Sequence, residues 1–172
     1  DQYKSYYFLH IPKTGGTSLT SVLDRFFPVE NIYPVQLWWN VGSIEQVKKQ
    51  SFQLFRGHFG LGAQLLSSNQ LQTWSMFRNP INMAHSTYQH IIRDKNTIKH
   101  HQVVSNQIGF EAFLEDRRLA HLASNRMVKA MSFGLNTTCI KNIPHINRDN
   151  FKLFRRHMNQ KRKKLTKNQL LR

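Results

Sequence analysis

Acidic residues are scarce in this chain and cysteine is almost missing. Cys139 is the single cysteine among 172 residues, which excludes an intrachain disulfide framework and every multi-cysteine metal site. A lone thiol is slightly more at home in a reducing compartment. No stretch reaches the roughly 18 apolar residues that a membrane-spanning helix needs, and no signal-like apolar segment is visible. The chain starts at Asp1 without a methionine, as a portion excised from a longer protein would, so a membrane anchor or targeting segment is not visible. Nor is there an internal repeat or a long low-complexity linker. Lys and Arg number 25 against 9 Asp and Glu, a formal net charge of +16. Such a surface attracts phosphates, sulfated or carboxylated glycans, nucleic acid or anionic lipid, and charge alone does not choose among them.

At this length the chain supports one domain with a genuine core. Periodicity and punctuation predict a short apolar strand at Ser5 to His10, a glycine loop, and a helix from about Thr17 to Phe27 that Pro28 stops. Phe52 to Phe55 reads as a second buried strand running into Arg56-Gly57-His58. Leu71 to Phe77 reads as a third, ending at Arg78-Asn79-Pro80. Helical patterns follow at about Ile81 to Arg93, Gly109 to Asp116 and Leu122 to Phe133. Strands alternating with helices predict an α/β fold, a parallel sheet flanked by helices, with ligands beyond the carboxyl ends of the strands. Residues 1–140 form the expected core. Residues 141–172 hold eleven Lys or Arg and one acidic residue, including Lys161-Arg162-Lys163-Lys164, and read as a basic segment, helical or partly disordered.

The stretch HIPKTGGTSL, His10 to Leu19, sits directly behind the first strand. A strand that enters a glycine loop and then a helix gathers unpaired backbone N–H groups and the positive end of a helix dipole around one point, which favours an anion. Gly15 and Gly16 permit close approach and positive φ. Thr17 and Ser18 are candidate helix caps and hydroxyl donors, and Lys13 adds a mobile charge. The nucleotide-triphosphatase loop G-x-x-x-x-G-K-[ST] carries its lysine after the glycines. Here Lys13 precedes them, and no apolar strand ends in an Asp suited to hold a metal, so a kinase or ATPase reading is strained.

HIPKTGGTS resembles the 5′-phosphosulfate-binding loop of the sulfotransferases, closest to the carbohydrate branch of heparan sulfate 2-O- and 6-O-sulfotransferases and their bacterial relatives. The resemblance implies a P-loop-containing nucleoside triphosphate hydrolase-like sulfotransferase fold. It also implies the donor 3′-phosphoadenosine 5′-phosphosulfate (PAPS), with the bisphosphate PAP as product and no metal. Lys13, Thr14, Gly15, Gly16, Thr17 and Ser18 would then hold the 5′ end, with Lys13 steadying the leaving group. The family's 3′-phosphate motif reads R-x-P-x-x-R-x-x-S-x-Y. Arg78, Pro80, Ser86 and Tyr88 match it, whereas Met83 stands where the motif has its second Arg. Arg78 and Ser86 are the expected 3′-phosphate ligands.

Transfer to a sugar hydroxyl needs a base, and His58, at the end of QLFRG, is expected to emerge at the same sheet edge as Lys13 and Arg78. The resembling enzymes carry a Gly-His at a similar position with that His as base. His10 and His85 are its rivals, with supporting or packing roles. His100-His101, His121 and His145 lack metal-ligand spacing, and no metal is assigned. The segment Ser124 to Gly134 resembles N-x-x-[TV]-[KR]-x-[LM] of the same enzymes. Asn125 and Lys129, one helical turn apart, are its candidate substrate contacts; a solvated helix face is the alternative. The resemblance spans Tyr7 to Gly134.

The expected acceptor is a carbohydrate hydroxyl, on an anionic glycan by the basic surface, with nucleic acid disfavoured. Trp38 and Trp39 suit packing better than a sugar platform. The competing readings are an inactive, truncated sulfotransferase-like module that binds anionic glycan or nucleotide, and a nucleotide kinase. Localisation follows the organism, cytoplasm in a bacterium or Golgi lumen in a eukaryote, and the triplet Asn136-Thr137-Thr138 says little about it.

Overall fold

A computed structural model describes residues 4–133, 145–149 and 151. Its centre is β1, Ser5–Leu9, an apolar strand whose Tyr7, Phe8 and Leu9 are buried, as a strand covered on both faces requires. On one side β1 pairs in parallel with β3, Leu54–Gly57; on the other it pairs in parallel with β4, Leu71–Ser75. The sheet order β3-β1-β4 places the strand-order reversal between β1 and β4, and ligands of open α/β sheets bind in that crevice. Leu9 lies in register with both Gly57 and Ser75, so His10, His58 and Met76 leave the sheet side by side.

The helix after β1 is α1, Gly16–Leu23, shorter than the predicted span to Phe27. Asp24 explains the early stop. It takes the C-cap position, and its carboxylate accepts from Arg56 Nη2 at 2.9 Å, tying the end of α1 to β3. Arg56 also donates to the Tyr33 carbonyl at 3.1 Å, so this strand-end cation is structural.

After β4, which ends two residues before the predicted Phe77, Asn79 caps α3, Pro80–Arg93. Its side-chain oxygen accepts from Ile81 N at 3.0 Å, and Pro80 occupies the first turn, where its missing N–H is harmless. Met83, Ala84, Thr87 and Ile91 form the buried face of α3. The predicted helices at Gly109 to Asp116 and Leu122 to Phe133 are found as the shorter Phe110–Glu115 and Arg126–Ser132.

Several elements go beyond the sequence-based expectation. Ile44–Lys48 and Ile98–Val104 are helical, and a two-residue ribbon pairs Gly42–Ser43 with His145–Ile146. In chain order these make β2 Gly42–Ser43, α2 Ile44–Lys48, α4 Ile98–Val104, α5 Phe110–Glu115, α6 Arg126–Ser132 and β5 His145–Ile146. Ile146 is fully buried in the main core, so core packing reaches beyond residue 140 into the segment that the charge run set apart. Gly134, the triplet at Asn136, Cys139 and Lys161 to Lys164 lie outside the described residues.

One cluster joins β1, β3 and α2 through Tyr7, Phe55 and Val47, together with Tyr33, Trp38 and Phe59. A second joins α3, α4 and α5 through Ile91, Val103 and Phe113.

Candidate functional site

The glycine loop meets the sheet edge through a set of tight approaches. Gly15 is the N-cap of α1 with φ 92°, a left-handed conformation that glycine adopts without cost. No side chain caps the helix, so Thr17 and Ser18 do not play the capping part expected of them, and their own hydroxyls are exposed. The reason is that Gly15 turns the chain into the helix before either residue reaches the cap position. The uncapped N–H groups remain directed past the loop. Thr14 turns inward instead, its buried hydroxyl donating to the Ile11 carbonyl at 2.8 Å. A Cβ on Gly16 would stand 2.2 Å from His10 Cδ2, so only glycine lets the helix start lie against that ring.

Lys13 adopts φ 71°, which costs a non-glycine residue roughly 1–2 kcal/mol. Arg78 holds the strained turn by donating from Nη1 to the Lys13 carbonyl at 3.2 Å. Burial lowers the Lys13 ammonium pKa below its ordinary value, and the charges of Arg93, Arg126 and Arg78 push it the same way. An anion between Lys13 and Arg78, which line one cavity, would relieve part of that repulsion.

Gly57 and His58 leave β3 beneath this loop. At φ 148° and with the Gln36 carbonyl oxygen 2.4 Å from where a Cβ would be, position 57 admits glycine alone. The Tyr7 hydroxyl donates to the Gly57 carbonyl and accepts from Phe59 N, both at 3.1 Å, clamping the turn from the core side. His58 Nδ1 lies 2.6 Å from the His10 carbonyl oxygen. A carbonyl can only accept, so Nδ1 carries the proton and Nε2 of the neutral ring is left as the acceptor.

The His58 ring stacks on His10 at 4.6 Å between centroids, and His10 stacks in turn on Phe8 at 5.8 Å. Burial depresses the His58 pKa below that of an ordinary histidine; the carbonyl contact opposes this and Arg126 reinforces it. His10 is pushed down to about 4, by burial first and then by His58. Both rings are thus neutral near pH 7, and the stack carries no charge repulsion.

Two cavities meet here. The loop cavity, about 400 Å³, is lined by His10, Lys13, Gly15, Gly16, Thr17, His58, Arg78, Ser86 and His90 among others. The wider cavity, about 510 Å³, lies on the other side of His10, Pro12 and His58 and takes in Trp38, Trp39, His121, Arg126 and Lys129. His58 is common to both walls. Among the described residues no acidic side chain lines either cavity.

The predicted residues therefore divide. Lys13, Gly15, Gly16, Thr17, His58, Arg78 and Ser86 come together around the loop cavity, while Thr14 and Ser18 are absent from its lining. Ser86 and His90, one helical turn apart on α3, face it together, and Arg93 follows on the same side of the helix. Met83, in the place of the motif's second Arg, is 1 % exposed against the core, where an unpaired arginine would be costly to bury. Tyr88 donates to the Ile108 carbonyl at 2.9 Å and packs on Phe110 and Phe113, and His85 packs edge-on to Phe110; neither lines the loop cavity.

On the far side, Lys129 lines the wider cavity and donates to the Ser124 carbonyl at 2.7 Å. Asn125 does not face it: it is the N-cap of α6, held at φ 52°, and the shared-face expectation fails because residue 125 precedes the first helical turn. Trp38 is buried with its indole N–H on the Phe59 carbonyl at 3.0 Å, and Trp39 packs edge-on to Phe151.

Sequence reasoning missed Tyr7, His90, Arg93 and Arg126. Tyr7 hides in an apolar run, and the others stand out only once α3 and α6 are folded against the loop. No protein-family model matches the chain, and neither does any curated protein or solved structure.

Proposed function

We propose that this chain is a PAPS-dependent sulfotransferase with a P-loop-like sulfotransferase fold, moving a sulfuryl group to a hydroxyl of a carbohydrate acceptor. The observation that carries the reading is His58, standing with a fixed tautomer between an anion-binding cavity and a second cavity open to an acceptor. The uncapped start of α1, Lys13 and the strand-end Arg78 suit a phosphosulfate at one end of the donor and a 3′-phosphate at the other.

In the reaction the acceptor oxygen forms a bond to sulfur as the bond from sulfur to the bridging phosphate oxygen breaks. His58 Nε2 receives the hydroxyl proton, and Lys13 steadies the charge gathering on the departing phosphate. His10 holds the base through its carbonyl, and Tyr7 holds the turn that presents it.

An anion-binding module without transfer activity is the second reading. The exposed middle of β4, residues Gln72, Thr73 and Trp74, favours it, because among the described residues no helix covers that part of the sheet. Calorimetry tests the donor assignment. Adenosine 3′,5′-bisphosphate should bind more tightly than ATP with magnesium; tighter ATP binding would overturn it. Bisphosphate binding with no transfer to any hydroxyl would select the second reading.

A further inference from the structure

The segment from Ser124 to Ser132 contributes a cation that its sequence pattern does not single out. Arg126 opens α6, its side chain is half-buried, and it lines the wider cavity but not the loop cavity. Nη1 donates to the Leu122 carbonyl at 2.7 Å, which fixes the guanidinium in place. That bond uses one of five N–H donors.

Among the described residues no carboxylate answers the charge. The ion pairs among the described residues are Lys48–Glu45, Arg56–Asp24 and Arg118–Asp116, and none involves Arg126. Holding a cation partly out of water without an anion is unfavourable, so such a group persists where a ligand supplies the anion. Its position is specific as well. Arg126 and His58 line the same cavity, and the positive charge of Arg126 opposes protonation of both His58 and Lys13.

We infer that Arg126 selects the acceptor, by pairing with a carboxylate on the sugar ring that carries, or adjoins, the hydroxyl presented to His58. The inference rests on the transfer reading above. A planar guanidinium fork matches a planar carboxylate better than a lysine ammonium does. The donor's anionic groups have Lys13, Arg78 and Ser86 on their own side of His58, which leaves Arg126 for the acceptor.

The test uses an oligosaccharide of alternating glucuronic acid and N-acetylglucosamine, and the same oligosaccharide with its carboxyls reduced to alcohols. Label transfer from PAPS is measured for the wild type, R126Q and R126K, with adenosine 3′,5′-bisphosphate binding as a check on folding and on the donor site. A charge-assisted hydrogen bond of ordinary strength gives the wild type a preference in kcat/KM for the acidic acceptor of about 10- to 100-fold. R126Q should lose that preference by losing rate on the acidic acceptor alone, and R126K should recover part of it.

No preference in the wild type, or an equal loss on both acceptors in an R126Q protein that still binds bisphosphate, would overturn the inference. If R126Q does not fold, the wild-type preference and its partial loss in R126K decide the matter. Should the wild type label neither acceptor, the transfer reading fails separately. Calorimetry with the two oligosaccharides then judges Arg126: discrimination in the wild type that R126K weakens upholds it, and equal binding of both contradicts it.

Discussion

The two cavities that meet at His58 are made in different ways. The loop cavity is walled mostly by residues just past strand ends: Lys13 and Gly15 to Thr17 after β1, His58 after β3, and Arg78 after β4, with Ser86 from the helix that follows. The anion binding proposed for it would come largely from backbone N–H groups and turns that glycine makes possible. Beyond the shared His10, Pro12 and His58, the wider cavity is assembled mostly from Leu37 to Trp39, Lys99, His121, Leu122, Arg126, Lys129, Phe133 and Phe151, stretches brought together by packing. A site written in backbone geometry tolerates few substitutions and fails abruptly. One written in side chains across several elements should respond in graded steps, and its specificity should be adjustable without loss of the chemistry.

The largest effect belongs to His58, one of three residues on both walls. His58→Ala removes the base and should lower kcat by about 10²- to 10⁴-fold while adenosine 3′,5′-bisphosphate still binds. Normal turnover in that variant would remove His58 from the mechanism. Next comes the loop itself. Lys13→Ala should cost about 10²- to 10³-fold in kcat with a much smaller change in donor affinity, because the charge it answers develops only as the bond breaks.

Arg78→Ala should weaken bisphosphate binding by about 10- to 100-fold in calorimetry, and scarcely affect a nucleotide without the 3′-phosphate. Equal losses for both ligands would contradict the 3′ assignment. On the graded side, Lys129→Gln should change KM for the acceptor by only a few-fold, since that lysine is exposed and its charge is well screened.

The smallest effect concerns pH. His10, with a folded pKa of about 4, binds fewer protons in the folded state than in the unfolded chain between that value and the ordinary histidine pKa of about 6.5. The stability it contributes is therefore present above about pH 6.5 and is lost as pH falls through that window. His10→Gln should flatten this part of a chemical-denaturation profile taken across pH. A His10→Gln profile with an undiminished acid slope would show that the slope arises elsewhere. His58, depressed in the same direction, should place the acid limb of kcat/KM below the pH expected of an exposed histidine.

The same division explains what the sequence discloses. The parallel α/β layout, the loop after β1 and the helix opened by Asn79-Pro80 are legible because each depends on neighbours a few residues away. The boundary of α1 is not, since it is set by the pairing of Asp24 with Arg56, far along the chain. Thr17 and Ser18 look like caps of α1 in the sequence, but a glycine in the left-handed region ends the loop sooner, at Gly15.

Arg126 reads as a solvated helix residue until α6 is folded beside the sheet edge. Asn125 reads as a pocket residue until its φ of 52° puts it outside the helix. Tyr7 carries no polar signal in Tyr6-Tyr7-Phe8-Leu9, yet its hydroxyl holds both sides of the turn that bears His58. What the tertiary fold adds is the junction itself, with a tautomer fixed by the carbonyl of a residue far away in sequence.

The most direct measurement is transfer itself. PAPS labelled in the sulfuryl group is incubated with the wild-type protein and a panel of desulfated glycans and small alcohols, with the His58→Ala protein alongside. Label on a sugar hydroxyl, made by the wild type and lost in the variant while both bind the bisphosphate, is the expected result. Label found on no acceptor, or carried equally by both proteins, would contradict a sulfuryl transfer run by His58.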